Sequence, residues 1–308
     1  MDCGKKLSFK VLALLISAVI VSIQASPAWA QTQTSTGVPA DRVNQIVSHF
    51  NETFKDIVSL EGGDLNVSVN WDWEGFDAHA NQVKTPDGRL RWEILIYGGI
   101  PKNPDLTADS LELVLCHELG HHLGGFPLDG FEKWRALEGE ADYFAAQACL
   151  RKLWSGSPNE NASFRDTVIP IVKTKCDEAW HDTDAQNLCY RINNAAQKTL
   201  LLLSNLNHTP PPQFDTPETK VTPVTDTYSH GTPQCRLDTF FNASLCTTQF
   251  DFSLIPGRND PLGQNSLDAQ DAAMRTSCRN SRPACWFKEL KPAPPASPAK
   301  KVTKKISK

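Results

Sequence analysis

The sequence predicts an α+β fold: a mainly helical core carrying a small sheet, followed by a disulfide-bearing, loop-rich C-terminal segment. Three observations predict it. Between residues 39 and 206, one helical-period run, one alternating run and one run rich in β-branched and aromatic residues precede a series of helical runs. Residues 207–233 break that pattern with six prolines and many threonines. Residues 234–289 then hold four cysteines in a short stretch.

The 308-residue chain opens on a segment that does not belong to the fold. Lys5, Lys6 and Lys10 precede an apolar run from Val11 to Ile23, and Ala28-Trp29-Ala30 has the small-x-small form of a cleavage site. Residues 1–30 therefore read as a secretory signal of bacterial type, cleaved after Ala30. The apolar run, about 13 residues, is too short for a membrane span. Residues 31–38 are polar and expected to be flexible.

From Pro39 the spacing of Val43, Ile46, Val47, Phe50, Phe54 and Ile57 predicts a helix, stopped by Gly62-Gly63. Leu65, Val67, Val69 and Trp71 alternate with polar residues, the period of a half-buried strand. Pro86-Asp87-Gly88 marks a turn, and residues 89–98 read as a second strand ended by Gly98-Gly99. Asp109 with Glu112 resembles a capping box, opening a helix that runs to Leu123 ahead of Gly124-Gly125. Further helices are expected from about Glu132 to Trp154, at 162–178 and at 183–206. Residues 207–233 read as an extended Pro/Thr-rich linker. Residues 234–289 read as a Cys-containing module, or a flap packed on the main domain. Residues 290–308 read as a Lys/Pro-rich disordered tail.

A composition of 40% hydrophobic and 21% charged residues suits a folded soluble protein. Residues 1–30 carry three Lys and one Asp, so the mature chain is more acidic than the whole chain's −4. The last eighteen residues carry six Lys and no acid, which leaves an acidic body with a basic tail. No nucleic-acid partner is expected of such a body; the tail offers at most weak contact with an anionic surface. Of nine cysteines Cys3 leaves with the signal, and eight in an exported chain read as disulfides. Pairing nearest neighbours gives Cys116–Cys149, Cys176–Cys189, Cys235–Cys246 and Cys278–Cys285; the alternative for Cys116 and Cys149 is a pair of free, buried thiols. These features argue against a cytosolic enzyme and a multi-span membrane protein.

The residues that carry chemistry are His117-Glu118-Leu119-Gly120-His121. The two histidines stand at i and i+4 on one helical face, so both imidazoles can reach one ion. Zinc accepts imidazole and carboxylate ligands in a tetrahedral site with one place left for water. Glu118, beside the first ligand, is placed to act as general base on that water. A third ligand is needed. The extended form of the motif would put a histidine at 127, where the chain has Pro127. Glu138-Gly139-Glu140-Ala141-Asp142 on the next helix supplies carboxylates instead. Glu138 is favoured as the ligand over Glu140, because it pairs at i,i+4 with Asp142. Asp142 is then the acceptor that fixes a ligand histidine's tautomer.

H-E-L-G-H followed by E-x-E-A-D resembles the gluzincin zinc metallopeptidases. It is most similar to the group containing the CAAX prenyl endopeptidase, the heat-shock membrane protease and the periplasmic chaperone-proteases. The resemblance covers about 109–150 and implies a zincin-like metallopeptidase core at 39–206 acting on a protein or peptide substrate. It also implies one zinc held by His117, His121 and Glu138, Glu118 as base, and Asp142 behind a ligand. The chain departs from that group in placing sixteen residues between His121 and Glu138, a shorter interval, and in lacking its hydrophobic spans.

An oxyanion donor is also required. Candidates are His181, Tyr190 and Arg191, with His181 the first choice. Tyr143 reads as core and His122, about 100° around the helix from His121, as a non-ligand. The strand 90–97 is a candidate cleft edge for an added peptide strand. The expected function is thus an exported, periplasmic or secreted zinc metallopeptidase. The alternatives are a non-catalytic zinc-binding or chaperone-like protein, or a disulfide-stabilised envelope interaction protein that works through 234–288.

Overall fold

The computed structural model describes residues 37–227 and 229–292. The signal segment 1–30 with its cleavage site, the polar stretch as far as 36 and the lysine-rich tail from 293 lie outside the described residues.

Helix α1 (Ala40–Leu60) buries Val43, Ile46, Phe50, Phe54 and Val58, which fall on one face by their spacing. Strand β1 (Gly63–Asn70) follows, then β2 (Ala78–Lys84) and β3 (Leu90–Tyr97). They form one sheet in the order β1-β3-β2. β1 is parallel to β3, with Val67 opposite Ile94, and β2 is antiparallel to it, with Ala80 opposite Ile94. Trp92, Ile94 and Ile96 alternate along β3 and are buried against α1 and the helices behind. Two expectations are corrected here. The sheet has three strands rather than two, and residues 90–97 form its interior strand, paired on both sides, so they cannot accept a further strand. The edge strands are β1, which packs on α1, and β2.

The short α2 (Gly99–Lys102) leads to α3 (Ala108–Leu123). The cap of α3 is Thr107, whose Oγ1 accepts from the Ser110 backbone N at 3.0 Å. The expected Asp109/Glu112 capping box does not form. Arg191, 1% exposed, donates to Asp109 at 2.7 and 2.9 Å, and the Trp154 indole donates to Glu112. A guanidinium taken that far from water requires carboxylate partners, and this demand outweighs the local cap. Leu111, Leu113, Leu115, Leu119 and Leu123 make α3 apolar on most sides, as befits a central helix.

Helix α4 (Glu138–Phe144) continues through a π-helical turn at Ala145–Cys149 into α5 (Leu150–Trp154). The helix begins later than Glu132 because the chain before it folds back on itself. Leu128 is bridged antiparallel to Ala136, and Asp129 Oδ1 accepts from Phe131 N at 2.8 Å. α3 and α4 cross at Gly120, where a Cβ would stand 2.7 Å from the Ala141 carbonyl oxygen. Only glycine allows that approach.

Next come α6 (Pro158–Ala162), α7 (Pro170–Ala179) and α8 (Thr183–Asn207). The single helix expected at 162–178 is broken, because Pro170 cannot sit inside a helix and instead opens α7. Residues 208–227 and 229–232 have no regular secondary structure, and touch the body at several points. The Phe214 ring is 5.0 Å from that of Phe241, Thr222 N donates to Ala284 O, and Asp226 N donates to Trp286 O, both at 2.8 Å. α9 (Pro233–Ser244) packs on α8 and α4, and α10 (Leu267–Thr276) completes the described helices.

The disulfides are Cys116–Cys149, Cys176–Cys189, Cys235–Cys285 and Cys246–Cys278. The first two pair as expected. The last two correct the nearest-neighbour pairing: Cys235 lies in the first turn of α9 and Cys246 just past its end, and the helix between them rises on the order of 14 Å, well beyond disulfide reach. Four disulfides fit an oxidising, exported environment. No helix among the described residues is long and apolar enough to cross a membrane.

Candidate metal centre

α3 and α4 bring three side chains to one point. His117 Nε2 lies 3.2 Å from Glu138 Oε2, and His121 Nε2 lies 3.6 Å from the same oxygen. One ligand atom from each of the three falls within 4.8 Å of the others. The two imidazoles meet edge to face, 83° apart, as consecutive turns of one helix allow.

The outer ring nitrogens are already engaged. His117 Nδ1 donates to Asp142 Oδ1 at 2.7 Å, and His121 Nδ1 donates to the Ala136 carbonyl at 2.8 Å. In a neutral imidazole a protonated Nδ1 leaves Nε2 as a lone pair. Two such lone pairs and a carboxylate oxygen then face each other with no donor among them. Glu138 Oε2 is buried and has no hydrogen-bond partner among the described residues. A cation resolves that concentration of acceptors, and the donor set fits a divalent metal.

A proton is the competing answer. Burial alone would push His117 down, but the Asp142 and Glu138 carboxylates overcome it and raise its pKa to about 10. Burial pushes His121 down to about 4. Glu138 is also buried, yet the two imidazoles hold it well below the carboxylate range. Metal uptake would therefore displace a proton, chiefly from His117.

Glu118 is buried beside His117 and lines the adjoining pocket, and burial pushes its carboxyl up to about 7. The pocket, about 270 Å³, has an apolar wall of Phe76, Ile100, Leu113, Val114 and Leu203. Ala78, the first residue of the edge strand β2, is on its rim.

Two residues at the pocket come from sequence that carries no motif. His230, in the irregular run before α9, places Nε2 3.3 Å from Glu138 Oε2. Arg236, on α9, donates to both oxygens of Asp142 at 2.7 Å. The link from His117 to Asp142 thus extends to a guanidinium supplied by the C-terminal segment. Spacing within 109–150 gives no sign of either residue, which arrive only through the packing of α9 on α4.

The other candidates lie elsewhere. Glu140 turns away to Arg282, which donates to its two oxygens at 2.5 and 2.7 Å, so it is not a ligand. His181 is exposed between α7 and α8 and does not line the pocket. Tyr190 is held by Asp177, Arg191 by Asp109, and Tyr143 is core. The expected oxyanion donor is therefore corrected: none of His181, Tyr190 and Arg191 faces the site, and His230 does. His122 points to the sheet, stacked between Trp92 and Trp134 at 5.0 and 4.9 Å.

No protein-family model, curated protein or solved structure matches the chain. The functional reading accordingly rests on the residues and their geometry.

Proposed function

We propose that the protein is an exported zinc metallopeptidase with a zincin-like core. The observation that carries this reading is the convergence of His117, His121 and Glu138 on one point, beside Glu118 and a pocket that His117 and Glu118 line. Imidazole and carboxylate donors in this number suit zinc.

His117, His121 and Glu138 would hold the ion, which would supply Lewis-acid chemistry by acidifying a water and polarising a carbonyl. Glu118, with a pKa raised toward neutrality, accepts a proton from the attacking water and passes it to the departing amine. Asp142 keeps the His117 ring oriented, and Arg236 keeps Asp142 ionised and in place. His230, whose Nε2 stands 3.3 Å from Glu138 Oε2, donates to the developing oxyanion. A peptide lies extended along the free edge of β2, with one side chain in the apolar pocket.

Glu118→Gln tests the reading. The variant retains the metal and cleaves casein or a peptide library about 10²–10⁴-fold more slowly than the parent. Undiminished cleavage would remove Glu118 from the mechanism. A parent that holds zinc yet cleaves nothing would favour the non-catalytic zinc-binding alternative.

A further inference from the structure

Glu138 is the first residue of α4, and that helix start has no side-chain cap. Its position is set from outside. The Trp286 ring lies on the bare backbone of Gly139, so close that a Cβ there would stand 2.2 Å from the ring. The ring is itself anchored, its indole N donating to Thr239 Oγ1 at 3.0 Å. Arg282 grips the next residue, Glu140, with two bonds, and its guanidinium lies 4.5 Å over the Tyr143 ring. Both members of this ion pair are buried, at 7% and 2% exposure. Cys285, between the two contacts, is bonded to Cys235 at the start of α9, next to Arg236 on Asp142.

We propose that the C-terminal arm, residues 281–287, is a positioning element of the metal centre: Trp286 on Gly139 and Arg282 on Glu140 fix the first turn of α4 and so aim Glu138. This rests on the metal-centre reading above. Two features argue for positioning over simple core filling. A buried ion pair is a poor stability device, since apolar replacements often do as well, whereas a two-bond fork fixes geometry. The arm's contacts with α4 also fall at 139, 140 and 143, around the ligand-bearing turn.

The test is zinc affinity of the full oxidised chain, by competition with a chromophoric chelator, together with the visible spectrum of the cobalt-substituted protein. The variants are Trp286→Leu and Arg282→Gln. A control, Cys176→Ser/Cys189→Ser, loses a remote disulfide and hence stability. Both arm variants are expected to bind zinc about tenfold to a hundredfold more weakly, as for groups that orient a ligand, and to show an altered cobalt spectrum. The control is expected to melt earlier with parent affinity and spectrum. Should Arg282→Gln fail to fold, Trp286→Leu carries the test. Parent-like affinity in a folded Trp286→Leu chain, or equal weakening in the control, overturns the proposal. A parent that takes up neither zinc nor cobalt overturns the metal-centre reading itself, and this proposal with it.

Discussion

His117 and Asp142, 25 residues apart in the chain, are joined by a 2.7 Å hydrogen bond from Nδ1 to Oδ1. That bond decides which imidazole nitrogen carries the proton and turns the other toward Glu138. Replacing Asp142 by Asn keeps the size but removes the charge that Arg236 neutralises. The Asp142→Asn chain is expected to bind zinc about 10–100-fold more weakly. Chelator competition checks this, and unchanged affinity would mean that Asp142 does not orient the ligand.

Gly120, inside the H-E-x-x-H run, presents two opposed effects. Alanine is the better helix former by about 1 kcal/mol, so propensity alone makes Gly120→Ala stabilising. The added methyl, however, would meet the Ala141 backbone at 2.7–2.8 Å, and backbone cannot swing aside. Overpacking of this kind costs about 1–3 kcal/mol, so the net effect expected is destabilisation, with reduced metal uptake as α3 and α4 separate. Urea unfolding of the two chains reads the sign directly.

His122 supplies a pH dependence. Burial between the two indoles pushes its pKa from 6.5 down to about 3. Between those values the unfolded chain binds a proton that the folded chain excludes. The contribution is therefore present above pH 6.5 and is lost as pH falls through 6.5 toward 3. His122→Phe keeps an aromatic ring in the stack without the titration. Its thermal midpoint should vary less over this window than the parent's, and identical slopes would contradict the assignment.

How much of this was legible in the sequence follows from how local each signal is. α1 and β3 announce themselves because Val43, Ile46, Phe50 and Phe54, and again Trp92, Ile94 and Ile96, repeat with the period of their own element. β2 gives no such sign: its residues, Ala-His-Ala-Asn-Gln-Val-Lys, are half-buried or exposed at a sheet edge, so nothing forces an apolar alternation. His117, His121 and Glu138 were readable because the two histidines are a helical turn apart and Glu138 shares a face with Asp142. His230 and Arg236 were not, because they reach Glu138 and Asp142 across more than ninety residues of chain, through the packing of α9. The Cys235–Cys285 and Cys246–Cys278 pairs, 50 and 32 residues apart, were hidden for a related reason: Cys spacing does not reveal that a helix separates Cys235 from its near neighbour Cys246.

The central claim is that His117, His121 and Glu138 form one metal site. The measurement that tests it most directly is the metal content of the purified, oxidised chain by elemental analysis, beside the Glu138→Ala variant. The expected result is about one zinc per chain in the parent and much less in the variant. A folded, oxidised parent that contains no zinc and takes none up on addition would contradict the account.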